Sequence, residues 1–172
     1  MIIEERDSRA ERVILAGKMM MTAARTAPKA KGLDLLECCL LTGDDIQRLS
    51  AVMMELFEQT GRPVFQRDGQ NILKADAILI IASKNRPLGL NCGHCGYPTC
   101  ADKPAQAPCV YGPTDVGIAI GSAVATAADL RVDTRVMYSA GMAAERLQLL
   151  PGCTQYFAIP ISASSKSPFF DR

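Results

Sequence analysis

The chain has 172 residues, enough for a domain with a proper core, and its make-up is ordinary for a globule: 48% apolar and 22% charged. Nineteen basic residues against eighteen acidic ones leave a formal charge of +1, which argues against binding to nucleic acid or to a charged membrane surface. Tryptophan is absent and aromatics make up 5%, so no stacking platform for single-stranded nucleic acid is visible.

The start, Met-Ile-Ile-Glu-Glu-Arg-Asp, is charged at once and has no export-type apolar region behind it. No apolar run reaches the roughly 18 to 20 residues needed to cross a bilayer. The longest, Val116 to Leu130, contains Asp129. With seven cysteines and no export route, a reducing cytoplasm is the expected location, where clustered thiols serve metal or redox chemistry more often than disulfides.

In chain order, Asp7 to about Thr26 reads as a helix. Asp7 and Ser8 are possible caps, and Val13, Ile14, Leu15, Met19, Met20 and Met21 are its apolar positions. The methionines read as core filler. Pro28 ends the helix at or just before Ala27. Leu35 to Thr42 is a short apolar run that suits a strand buried on both faces. Asp44 to Thr60 reads as an amphipathic helix with Ile46, Leu49, Val52, Met53 and Leu56 on one face, stopped by Gly61-Arg62-Pro63. Ala75 to Ser83 is the clearest buried strand.

After a cysteine-rich loop, Pro113-Thr114-Asp115 leads into a helix of small and apolar residues that runs to about Leu130. Arg135 to Ser139 reads as a strand, Gly141 to Leu150 as a helix and Gln155 to Ser162 as a last strand. Strands alternating with helices of this length predict a layered α/β or α+β domain with helices on a central sheet. One domain spans residues 1–172, and the loop at 88–112 is an insertion between a strand and the small-residue helix.

That loop carries the chemistry. Cys92, Cys95, Cys100 and Cys109 have the spacing C-x2-C-x4-C-x8-C. Four thiolates so close in sequence can hold a 4Fe-4S cluster. Gly93 and Gly96 permit the tight turn between the first ligands, and Pro98, Pro104 and Pro108 stiffen the rest. The positive end of the helix near Thr114, with Lys103, would favour the cluster's negative charge.

Two alternatives stay open. A structural zinc could use the same thiolates, with His94 as a further donor, and either zinc or a cluster could merely stabilise a non-enzymatic binding or sensor protein. Yet zinc sites usually pair two short knuckles, and Cys100-x8-Cys109 is not one. A redox-active dithiol at Cys92 and Cys95 would leave Cys100 and Cys109 without a role. The ordinary reading of His94 is a solvated or hydrogen-bonded loop residue. Cys38 and Cys39 read as small buried hydrophobes, and Cys153 has no evident partner. No acid, base or nucleophile stands out as catalytic.

Gly117, Gly121 and Ala125 recur every four residues, with Ser122 beside them. Such a stripe admits another backbone closely, either inside its own domain or from a second copy across a two-fold axis.

Several stretches together resemble a known family of bacterial and archaeal proteins described as containing a ferredoxin domain. They are Leu88-Gly-Leu-Asn-Cys-Gly-His-Cys-Gly-Tyr-Pro-Thr-Cys100, Asp115-Val-Gly-Ile-Ala-Ile-Gly-Ser-Ala-Val124, Asp133-Thr-Arg-Val-Met-Tyr-Ser139 and the closing Phe169-Phe-Asp-Arg172. The cysteine core is also similar to the cluster-binding module of corrinoid iron–sulfur proteins and of ion-pumping electron-transport subunits. The resemblance implies a 4Fe-4S cluster on Cys92, Cys95, Cys100 and Cys109 but no particular reaction; from the cluster itself, the expected role is electron transfer or work as an oxidoreductase.

A more distant likeness is to flavin-dependent nitroreductases, through Ala23-Ala-Arg-Thr-Ala-Pro28 and the long helix Asp115 to Leu130. It implies an α+β fold, a layered sheet with helices on both faces, and a homodimer. It also implies a possible FMN, with Arg9, Arg12 and Arg25 as the candidates for its phosphate. The Ser and Asn that follow the proline in nitroreductases are replaced here by Lys29 and Gly32 or its neighbours. A flavin beside a cluster makes chemical sense, since it trades single electrons with the cluster and pairs with a substrate. The redox partner or small-molecule substrate is not legible.

Overall fold

A computed structural model describes residues 1–170. The last two positions of the closing Phe169-Phe-Asp-Arg172 motif lie outside the described residues.

The helices are α1 (Glu5–Thr26), α2 (Asp44–Thr60), α3 (Pro63–Ile72), α4 (Tyr111–Asp129) and α5 (Tyr138–Arg146). The strands are β1 (Leu36–Leu41), β2 (Ala77–Lys84), β3 (Asp133–Thr134) and β4 (Cys153–Ser162), and a short 3-10 turn, Ala30–Gly32, follows α1. The strands form one sheet in the order β1-β2-β4-β3, antiparallel throughout.

The period-two alternation of the central strands builds the layers. On β2, Ile78, Ile80 and Ala82 face α2, α3 and α5, where Leu49, Met53, Phe65 and Ile72 are fully buried. Ala77, Leu79 and Ile81 face the other way, onto α1 and α4, with Val13, Met20, Ala119, Ala123 and Ala127. The sheet is thus covered on both faces, which is why β2 reads as a continuous apolar run. Alanine every fourth residue brings α4 close to the sheet and to α1, and the Ser122 hydroxyl donates 3.0 Å to the Ala23 carbonyl.

The structure departs from the sequence reading at four places. Pro63 does more than stop α2: it is the first residue of α3, where its missing N–H and fixed φ are no handicap. Arg135 to Ser139 is not a strand. Pairing is confined to Asp133–Thr134 and a single bridge from Met137 to Ala158, and α5 starts at Tyr138, not Gly141. Neither Asp7 nor Ser8 caps α1, which begins at Glu5; the Ser8 hydroxyl donates back to the Glu4 carbonyl. β1 is an edge strand, and its middle residues are half-buried.

Cys38 and Cys39 pack against opposite layers. Burial first, then Cys38, pushes the Cys39 thiol up to about 11, and burial also raises Cys38. At pH 8 only about a thousandth of Cys39 is thiolate, the reactive form. In cluster-free protein, iodoacetamide should therefore label the exposed Cys92 long before Cys39. Peptide mapping by mass spectrometry checks this, and equal labelling rates would overturn it.

A candidate metal centre in the cysteine loop

The loop between β2 and α4 folds on itself through local chemistry. Asn91, Gly93 and Gly96 have positive φ (48°, 72° and 87°), a region open to glycine and tolerated by asparagine. The Gly96 N–H donates 2.9 Å to the Gly93 carbonyl, which closes the turn between Cys92 and Cys95. The Asn91 carboxamide oxygen accepts the Cys100 N–H at 2.9 Å, drawing the third cysteine back to the first. Asp102 accepts from both the Thr99 N–H (3.1 Å) and its hydroxyl (2.8 Å).

These turns place Cys92, Cys95, Cys100 and Cys109 around a single recess, with Tyr97, Lys103 and Tyr111. As packed, the recess has about 10 Å³ free, room for roughly one water. A cluster would have to displace the thiol side chains that now fill the recess, in a loop where Cys92, Gly93 and Gly96 are exposed. Among the described residues, no three Cys, His, Asp or Glu side chains are grouped to grip one ion. A single zinc needs its sulfurs about 2.3 Å from one centre. A cluster spreads its irons and tolerates wider thiolates. Four thiols around one recess are a donor set that suits an iron–sulfur cluster.

Charge in the recess is arranged for an anionic guest. Cys109 lies two residues before α4, whose positive dipole end faces the loop. Lys103 is 9% exposed, and its ammonium donates to the Pro104 and Ala107 carbonyls inside the Cys100–Cys109 segment. Burial first, then the Cys92 sulfur that its hydroxyl meets, pushes the Tyr111 phenol up. The His94 ring stands edge-on to Tyr111, centroids 6.3 Å apart.

The loop is tied to the body at two points, and the start of α4 that follows it at a third. Asn85 donates to the Ala105 carbonyl (3.1 Å), and the Lys31 ammonium donates to the Leu88 carbonyl (3.0 Å). Asp115, 7% exposed on the first turns of α4, accepts the Ala30 N–H at 3.1 and 3.3 Å. Sequence reading missed these tethers. Asn91 had a local signal, an asparagine in a glycine-rich turn. Asp115 and Ala30 are 85 residues apart and had none.

The three arginines considered for a flavin phosphate do not converge. Arg9 and Arg12 both grip Glu5 on the first turns of α1, at 2.5 and 3.4 Å. Arg25 is sixteen residues further along, about 24 Å of helix. It is engaged with Asp34 (2.8 Å) and the Leu36 carbonyl (2.6 Å).

A family model described as "Uncharacterized protein containing a ferredoxin domain (DUF2148)" matches residues 105–172, a stretch that includes Cys109. An uncharacterized protein from Archaeoglobus fulgidus is 38% identical over 182 residues, spanning all of this chain and 98% of the relative. The chain belongs to this ferredoxin-domain family.

Among solved structures, a nitroreductase with bound FMN from Bacteroides fragilis matches with a TM-score of 0.63 at 10% identity, over 87% of this chain and 76% of that one. A nitroreductase with bound FMN from Desulfitobacterium hafniense gives 0.58 at 11%, over 88% and 78%. An oxidoreductase containing FMN gives 0.60 at 15%, over 88% and 67%. At such identities the likeness concerns architecture, and this member of the family has a nitroreductase-like α+β fold.

Proposed function

We propose that this protein is an iron–sulfur redox protein that holds a 4Fe-4S cluster on Cys92, Cys95, Cys100 and Cys109 and works in electron transfer or as an oxidoreductase. The observation that carries this reading is the convergence of all four cysteines on one recess at the positive end of α4. The family's ferredoxin-domain description supports it. The cluster supplies one-electron chemistry. The chain's part is to present four thiolates, to neutralise charge through Lys103 and the α4 terminus, and to shield the site with Tyr97 and Tyr111. A thiolate-held cluster also favours a reducing compartment, the cytoplasm.

Anaerobically purified protein should be brown and carry about four iron and four sulfide per chain. Colourless protein with one zinc per chain would sink the reading.

A flavin beside the cluster is the second reading, favoured because neighbours of this fold bind FMN. Yellow flavin released when the same sample is denatured would support it, and none after soaking with FMN would remove it. Gly117 and Gly121 lie exposed on α4 with open space where a Cβ would stand. That face is the place for the second subunit of a homodimer. Light scattering on this sample would give 37 kDa, twice 18.5 kDa, and a monomer mass would dismiss the dimer.

A further inference from the structure

The segment between Cys100 and Cys109 is packed inside out. Ala101, Pro104, Ala105 and Pro108 are exposed, while Lys103 is buried and lines the recess with the four cysteines. A lysine is almost never buried unless its charge is paired, because an ammonium taken out of water loses its hydration. Its three hydrogens also need acceptors. The Pro104 carbonyl takes one at 3.1 Å and the Ala107 carbonyl takes another. The third has no acceptor, and the charge has no carboxylate, among the described residues. The neighbouring Asp102 is engaged with Thr99.

Lys29 is the contrast. Its side chain is 6% exposed, but its ammonium donates to the Arg25 and Ala27 carbonyls at the C-terminal end of α1, and Asp34 stands 3.9 Å away. A helix end and a carboxylate together offset that charge. Lys103 has neither. It shares its recess with the positive end of α4, and no aspartate or glutamate lines that recess.

We infer that Lys103 sets the reduction potential of the centre, its charge favouring the reduced state and raising the potential above what four thiolates alone would give. The inference rests on the cluster reading above. Lys103 is not a ligand, since an ammonium has no lone pair to give. One-electron reduction adds one negative charge and neither makes nor breaks a bond, the electron coming from the external donor. A fixed cation in surroundings poor in water meets that added charge far more strongly than a solvated cation would. Net charge and hydrogen bonds to sulfur are among the levers that set such potentials.

The test is an anaerobic redox titration of the full-length, cluster-loaded protein with dithionite, followed by visible absorption, with iron per chain measured on the same samples. Lys103→Gln removes the charge and keeps donors for the two carbonyls, while Lys103→Met keeps only the length. Both should hold iron as the wild type does. Both should show at least a tenfold fall in the equilibrium constant for reduction, a potential about 59 mV more negative for one electron. Lys103→Arg should stay within threefold of the wild type. Lys31→Gln is the control, since it removes the same charge from an exposed lysine that meets the loop at the Leu88 carbonyl. It too should stay within threefold. The Lys103→Gln shift should persist at about 1 M salt, where the screening length is about 3 Å. An unshifted potential in Lys103→Gln, an equal shift in Lys31→Gln or a shift abolished by salt would overturn the proposal. So would loss of iron together with the charge, which would make Lys103 a buttress of the loop. Colourless wild-type protein would instead remove the cluster reading, and this inference with it.

Discussion

Serine at any one of Cys92, Cys95, Cys100 or Cys109 should strip the protein of most of its iron and of its visible absorption, at least a tenfold fall in iron per chain. Serine at Cys38, Cys39 or Cys153 should leave both intact. The hydroxyl stays protonated where a thiol ionises, and a cluster held at three corners is open to solvent. The three other cysteines are excluded by position: Cys38 and Cys39 belong to the layers of β1, and Cys153, 8% exposed, packs in the α2–α5 core. The two sets should also separate in stability. No cysteine of the loop belongs to either core cluster, so a chain that has lost its cluster keeps both helical layers. Its far-ultraviolet circular dichroism should match the wild type, while proteolysis concentrates in 88–112. Iron lost equally from Cys153→Ser, or retained by Cys100→Ser, would contradict the assignment of ligands.

What was legible in the sequence follows from how local each cause is. β2 announces itself because a central strand between two helical layers buries both its faces, and Ala77 to Ala82 are all apolar. The helices α1 and α2 announce themselves through spacing along one turn after another. The grouping of four cysteines around one recess is legible because they lie within eighteen residues and the glycines that turn the chain lie between them. Pro63 was ambiguous because the same missing N–H that ends a helix is harmless at the start of the next one. Val136 and Met137 read as strand by composition, but β3 is cut short at Thr134 and only Met137 still reaches β4. Arg25 had the right residue type for an anion grip. Its actual partner, Asp34, lies nine residues on, past the turn at Ala30–Gly32.

Gly141→Ala should destabilise the fold by about 3 kcal/mol or more, at the upper end for overpacking. For a domain of this size that is a fall of roughly 10 °C in melting temperature. α5 crosses β4 with Gly141 directly on the strand: an added Cβ would stand 2.1 Å from the Tyr156 carbonyl oxygen, 2.6 Å from its carbon and 2.9 Å from the Phe157 Cα. These are backbone atoms, so no rotamer change clears them. Nor can the helix withdraw easily. Met137, one residue before α5, is fastened to Ala158 by two hydrogen bonds, N–H to carbonyl at 2.8 Å and the reverse at 3.1 Å. Tyr156 is held in turn by its hydroxyl donating to the Leu150 carbonyl. Lifting α5 would also open the packing of Ala140, Ala143 and Ala144, all fully buried. Gly121→Ala is the control, since open space surrounds it. Alanine gains about 0.5–1 kcal/mol over glycine in a helix, so the isolated chain should melt slightly higher. If Gly141→Ala melts within a degree of the wild type, the close crossing of α5 over β4 is wrong, and with it the placement of the layer that carries α2, α3 and α5.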